Sequence, residues 1–177
     1  YPKMLMPQPT LEIYRQFYYY LQKESDQHIW NVLKRLMNTS FFENTIIIFT
    51  SDHGEMLGAH GGMHQKWHNA YEETVHVPFI ISHATMFKES KQANMLTSHV
   101  DLIPTLLGLA GINQKAAQKE LKKSHSQAQP LVGRDLTKIV TGKTNPDFSK
   151  EPIYFMTDDE ISSGLHQENK ITGKPYA

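Results

Sequence analysis

The sequence predicts an α/β fold, and two observations carry that prediction. Apolar residues recur at three- and four-residue steps from Tyr14 to Leu36, the period of an amphipathic helix. Short apolar, β-branched runs then follow at residues 44–49 and 77–81, bounded by polar and turn-forming stretches. A helix-strand-loop-strand-helix succession implies helices layered on a sheet.

Taken in order, Pro2, Pro7 and Pro9 make the opening irregular. A helix is expected from Thr10, read as its N-cap, with Glu12 in the first turn where the helix dipole favours an anion. Its inner face is read as Tyr14, Phe17 or Tyr18, Leu21, Ile29, Val32 or Leu33, and Leu36, with Asp26 toward solvent. Residues 38–44 turn into a first strand, Asn44-Thr-Ile-Ile-Ile-Phe49, read as buried. Val77-Pro-Phe-Ile-Ile81 reads as a second strand, with Pro78 at its start where a missing N–H is tolerated. Residues 100–109 are apolar with a helical period, closed by Gly108 and Gly111. The polar stretch 114–129 reads as a solvated helix or a mobile insertion, without evident chemistry. Residues 131–140 read as a short segment leading into a helix. Ile153-Tyr-Phe-Met156 is expected to be a third strand, followed by an acidic turn at Asp158, Asp159 and Glu160.

At 177 residues the chain is long enough for one core of ordinary size. The charge is balanced, 18 basic against 18 acidic residues, so no nucleic-acid surface is indicated. No apolar run approaches the roughly 18 residues of a membrane span. No signal-peptide pattern opens the chain. With no cysteine there is no disulfide, and the compartment stays open. One glycosylation sequon occurs, at Asn38-Thr-Ser40, a motif that by itself arises most often by chance.

Chemistry concentrates in residues 50–73. Where the first strand ends, Asp52, His53 and Gly54 follow in succession. Ligands collect outside the carboxyl ends of strands in open α/β sheets. Adjacent strand residues point to opposite faces, so Asp52 and His53 reach one ion only if the chain turns, a role read for Gly54. The bland alternative is a helix N-cap, for which Asp is a favoured residue. A carboxylate with an imidazole suits several divalent ions.

The order of motifs resembles the sulfatases of the alkaline-phosphatase superfamily. The matching residues are Thr50-Ser-Asp-His-Gly-Glu-Met-Leu-Gly-Ala-His60-Gly, Lys66, Tyr71-Glu-Glu, and Val77-Pro78. They are followed by His99-Val-Asp101-Leu-Ile-Pro104-Thr-Leu-Leu-Gly-Leu-Ala-Gly111, then by Gly133 and Leu136. The resemblance implies an alkaline-phosphatase-like α/β sandwich, of which residues 1–177 form a C-terminal portion of one catalytic domain. It implies metal-dependent hydrolysis of a sulfate monoester, a small molecule or a sulfated glycan. Asp52 and His53 would be metal ligands, and the ion would be Ca²⁺, with Mg²⁺ or Mn²⁺ as alternatives. His53 departs from those members that carry Asn there. Lys66, otherwise a solvated surface cation, would contact the ester, and His60 would approach the substrate. The Cys/Ser-x-Pro-x-Arg segment that supplies the formylglycine nucleophile does not occur in the sequence. The resemblance places it in an upstream half of the same protein, so this chain alone is expected to be inactive and to bind metal weakly.

The neighbouring residues have blander readings. His60, His64 and His68, spaced by four, would suit zinc on a helix, but Gly61 and Gly62 argue against a helix there. His64 and His68 read as polar loop residues, and His76 and His99 as structural. Glu55, Glu72 and Glu73 are read as loop anchors rather than as acids or bases. Two rival functions stand beside the sulfatase reading. One is a phosphonate or phosphate monoester hydrolase of the same superfamily. The other is a non-catalytic metal-binding module, against which a parallel-type sheet needing neighbours on both edges would argue.

Overall fold

The computed structural model describes residues 8–63, 65–66, 69–87, 89–143 and 151–156. Its elements are α1 (Gln8–Met37), β1 (Ile47–Thr50), α2 (Ala59–Gly62), α3 (Glu72–Val75), β2 (Phe79–Ser82), α4 (Leu102–Leu109), α5 (Gln114–Leu121) and α6 (Thr137–Val140). Short 3₁₀ turns occur at Phe42–Asn44 and His99–Asp101. β1 and β2 form a small antiparallel sheet of two strands. The chain is therefore mixed helix and strand. No helix of the described residues is long and apolar enough to cross a membrane.

Several sequence expectations are corrected here. α1 begins at Gln8, so Thr10 lies inside it and its first turn holds no acidic residue. Pro9 falls in that first turn, where a fixed φ and an absent N–H suit a helix start. The two strands pair antiparallel, not in the parallel type, and β1 is only half-buried, with Phe49 exposed. An antiparallel pair leaves a face open to water more readily than a parallel one. Residues 153–156 are not a strand, and Tyr154 and Met156 are exposed. A strand needs a ladder partner, and none of the described residues supplies one. The acidic turn at 158–160 lies outside the described residues.

The described residues fall into two compact units. The first lies within Tyr1–Phe42, Phe49–Ile80 and Phe155–Ala177, the second within Glu43–Ile48 and Ile81–Tyr154. In the first unit, the start of α1 packs on the loop after β1. Leu11 and Met56 are its buried apolar residues. Leu11 lies so close to Gly58 that a Cβ there would collide with its side chain. Arg15 Nε donates to Leu57 O at 2.7 Å. Burial pushes the Tyr14 phenol up to about 12, helped by its hydrogen bond to Glu55. Beyond this contact the helix is largely exposed. Tyr18, Leu33 and Leu36 are half-buried, but Phe17, Leu21, Ile29 and Val32 are not.

The second unit is organised around Asp101, whose residue surface is 2% exposed. Ser98 and Asp101 form a capping box, in which Asp101 Oδ2 accepts Ser98 N at 3.1 Å. Arg134 donates Nη2 to Oδ2 and its backbone N to Oδ1, both at 2.7 Å. Burial raises the Asp101 carboxyl, but these donors outweigh it and hold the group below its ordinary range. Thr105, fully buried, accepts Leu136 N at 3.0 Å. Gly133 has no room for a Cβ against Val100 O, so its close approach brings the Arg134 segment onto Asp101. Gly111 closes α4 with φ +72°, and Ile112 N donates to Leu107 O at 2.8 Å in a Schellman pattern. Gly108, expected to share that closure, instead lies inside α4, where a Cβ would meet Asp135 and Thr137. The polar stretch after Ile112 resolves into α5, capped by Asn113, whose side chain accepts Ala116 N at 3.0 Å.

Candidate functional site

All four residues singled out from the sequence lie in the first unit, on the chain that leaves β1. The strand ends at Thr50, and local hydrogen bonds then set the geometry. Ser51 Oγ donates to His53 O at 2.7 Å, and Asp52 Oδ1 accepts His53 N at 2.9 Å. These bonds curl the chain so that two adjacent side chains meet. His53 Nε2 lies 3.5 Å from Asp52 Oδ2, while His53 Nδ1 lies 2.8 Å from Gly54 O. The Asp52 side chain is 84% exposed and the His53 ring 36%. The slight desolvation of Asp52 raises its carboxyl, but the His53 amide and ring and the Ser51 hydroxyl outweigh it and hold it below the ordinary range.

Gly54 serves differently from the sharp turn read for it. It is not among the positive-φ glycines. Instead it approaches the backbone of residues 73–74, donating its N–H to Thr74 O at 2.8 Å, and a Cβ would overlap Glu73 O. A backbone seam thus ties the Asp52–His53 corner to the start of α3.

The following loop is closed by Glu55. Its Oε1 accepts Leu57 N at 3.4 Å and also Gln65 N, while Met56 N donates to Gln65 O at 3.1 Å. Glu55 is thus an anchor. The closure presents the next residue, Lys66, which is exposed and makes no hydrogen bond or ion pair with the described residues. No bond links it to Asp52, His53 or His60. His64 and His68 lie outside the described residues.

His60 sits in the single turn α2, but with left-handed backbone, φ +50° and ψ +44°, followed by Gly61 at φ +84°. Its ring stacks on Tyr71 at 3.8 Å between centroids and 16° between planes. His60 Nε2 meets Glu73 Oε2 at 3.2 Å, both side chains being 40% exposed. The Glu73 carboxyl is held low by its own backbone N–H first and by His60 second. The sequence pointed to His60 and to Tyr71-Glu72-Glu73 separately. Their thirteen-residue separation gave no signal that they meet.

The donor set suits a cation at one corner. With Nδ1–H donating to Gly54 O, a neutral imidazole would turn the Nε2 lone pair toward Asp52 Oδ2, and a cation could be held between these two acceptors. Metal-ligating histidines usually donate their other ring N–H to a carbonyl or carboxylate in this way. Two donors are a partial set, and no cluster of three potential ligands occurs among the described residues.

Comparison with known proteins agrees with the motif order. The family profile described as Sulfatase matches residues 9–112, more than half of the chain. The chain belongs to the sulfatase family. Chicken arylsulfatase K is 36% identical over 98 residues, covering 55% of this chain and 18% of the relative. The ulvan-active sulfatase of Formosa agariphila is also 36% identical over 98 residues, covering 55% and 19%. Arylsulfatase K of Xenopus laevis matches further, 28% identical over 144 residues, 81% of this chain and 25% of the relative. The matches thus span between about a fifth and a quarter of the length of these relatives. No solved structure matches the chain.

Proposed function

We propose that this chain supplies part of the metal and ester site of a sulfatase with an alkaline-phosphatase-like α/β sandwich, acting on a sulfate monoester. The observation that carries the proposal is the Asp52–His53 corner, with Nε2 and Oδ2 3.5 Å apart and Nδ1 committed to Gly54 O. These two side chains would hold a divalent cation. Such an ion would withdraw charge from sulfate oxygens. The family resemblance favours Ca²⁺, with Mg²⁺ or Mn²⁺ as alternatives, all of them ions that prefer oxygen ligands and so would lean more on Asp52 than on the His53 imidazole. Lys66 would hold the ester through its exposed ammonium, and His60 would contact it from the α2 turn. The formylglycine nucleophile would come from another part of the protein, since no Cys/Ser-x-Pro-x-Arg segment occurs in this sequence.

Mn²⁺ titration of the chain, followed by the loss of the free-ion electron paramagnetic signal, tests the metal corner. Asp52→Asn and His53→Ala should each weaken the binding at least tenfold. Binding that both variants leave unchanged overturns the assignment.

A further inference from the structure

We infer that Glu73 and Tyr71 are positioning residues that orient the His60 imidazole toward the ester, an inference that rests on the sulfatase reading above. Three independent features converge on this ring. Its backbone adopts a left-handed conformation that a non-glycine residue visits rarely, as happens where function fixes a side chain. Its face is held by Tyr71 at 3.8 Å. Its Nε2 is held by Glu73 at 3.2 Å. An aromatic stack with a carboxylate bond removes both the tilt and the flip of the ring.

The chemistry follows from which nitrogen is occupied. Glu73 is an ionised acceptor, so Nε2 carries a hydrogen toward it. That leaves Nδ1 as the nitrogen for the substrate, and it has no bond to another described residue. A sulfate ester oxygen only accepts hydrogen bonds, so it binds the form in which Nδ1 is also protonated. The Glu73 carboxylate balances the charge of that cation. The stack leaves the ring 40% exposed, open to a ligand while partly withdrawn from water. The backbone seam between Gly54 and Thr74 fixes Glu73 relative to the Asp52–His53 corner, so one segment registers both groups.

A purely structural pair would staple the α2 turn to α3 and nothing more, and kinetics separate the two roles. In the full-length protein assayed with p-nitrophenyl sulfate, Glu73→Gln, which keeps size and removes charge, should lower kcat/KM about 10–100-fold, the usual cost of losing an orienting partner. His60→Ala should lower it at least as far, and the double variant no further than His60→Ala alone, since residues acting as a unit are not additive. Ring ¹⁵N shifts of His60 in the full-length protein supply a second readout. The wild type should show the Nε2–H tautomer when neutral, and Glu73→Ala a mixture. Losses that multiply in the double variant, or a Glu73→Gln enzyme with a lower Tm but unchanged kcat/KM, overturn the inference. If Lys66→Ala and Asp52→Asn also leave the rate unchanged, the sulfatase site reading falls with it. If those two lose activity while Glu73→Gln does not, only the positioning role is lost.

Discussion

Lys66 is exposed at the closing point of a loop fastened by Glu55, with no partner among the described residues. A cation without an internal partner adds little to folding. An exposed lysine at such a site changes stability by no more than about 0.5 kcal/mol on removal. In the proposed site its value would lie in stabilising charge that grows on the ester as the bond breaks. Losing one such preorganised donor costs roughly 10²–10³ in rate. Lys66→Ala in the full-length protein should therefore lower kcat/KM for an aryl sulfate by that factor while Tm stays nearly constant. An unchanged rate returns Lys66 to the solvated surface. At this scale the sequence was most informative where chemistry is contiguous. Asp52 and His53 are neighbours in the chain, and their local bonding through Ser51 and Gly54 brings their side chains together. The His60–Glu73 bond joins residues thirteen apart through two loops, and no local pattern announces it.

The elements divide by whether their causes are local. α1 and α4 follow from apolar period and α4's end from the Gly111 stop, all readable along a few turns of chain, whereas the cap read at Thr10 lies inside α1 and the polar stretch that forms α5 reads as either a helix or an insertion. The Gly133 approach and the burial of Asp101 depend on a segment 33 residues away, so only the motif order hinted at them. The expected strand at 153–156 failed for the converse reason, since an apolar run becomes a strand only with a partner. The Asp101–Arg134 pair joins the α4 entry to the loop before α6, and it makes stability depend on acid. Its carboxyl titrates lower in the fold than in the unfolded chain, where an Asp has a pKa of about 3.9. The stabilisation is therefore complete above that value and is lost as pH falls through the lower folded pKa. Thermal melts of the chain should show Tm dropping steeply below about pH 4. Asp101→Asn leaves Arg134 facing a neutral partner in a mostly buried site and should cost about 3 kcal/mol at neutral pH. That variant should also lose much of the acid slope, and a slope that survives intact assigns it to other carboxylates.

At the scale of the whole molecule, the described residues hold part of the proposed sulfatase site. Hydrolysis of a sulfate ester needs a nucleophile, an ion held by enough charged ligands, and donors for the sulfate oxygens. The sequence has no Cys/Ser-x-Pro-x-Arg segment. The described residues bring together one carboxylate and one imidazole and hold no larger ligand cluster. Most of a hard cation's coordination sphere would then fall to water, and binding would be weak. The isolated chain should therefore bind Ca²⁺ or Mn²⁺ no more tightly than the millimolar range and show no turnover of p-nitrophenyl sulfate or p-nitrophenyl phosphate. Both quantities come from one preparation, by calorimetric titration of the ion and by release of nitrophenolate. Stoichiometric micromolar binding with metal-dependent release would mean that the nucleophile and the missing ligands lie within these residues. Release from the phosphate alone would move the enzyme to the phosphate-ester side of the superfamily.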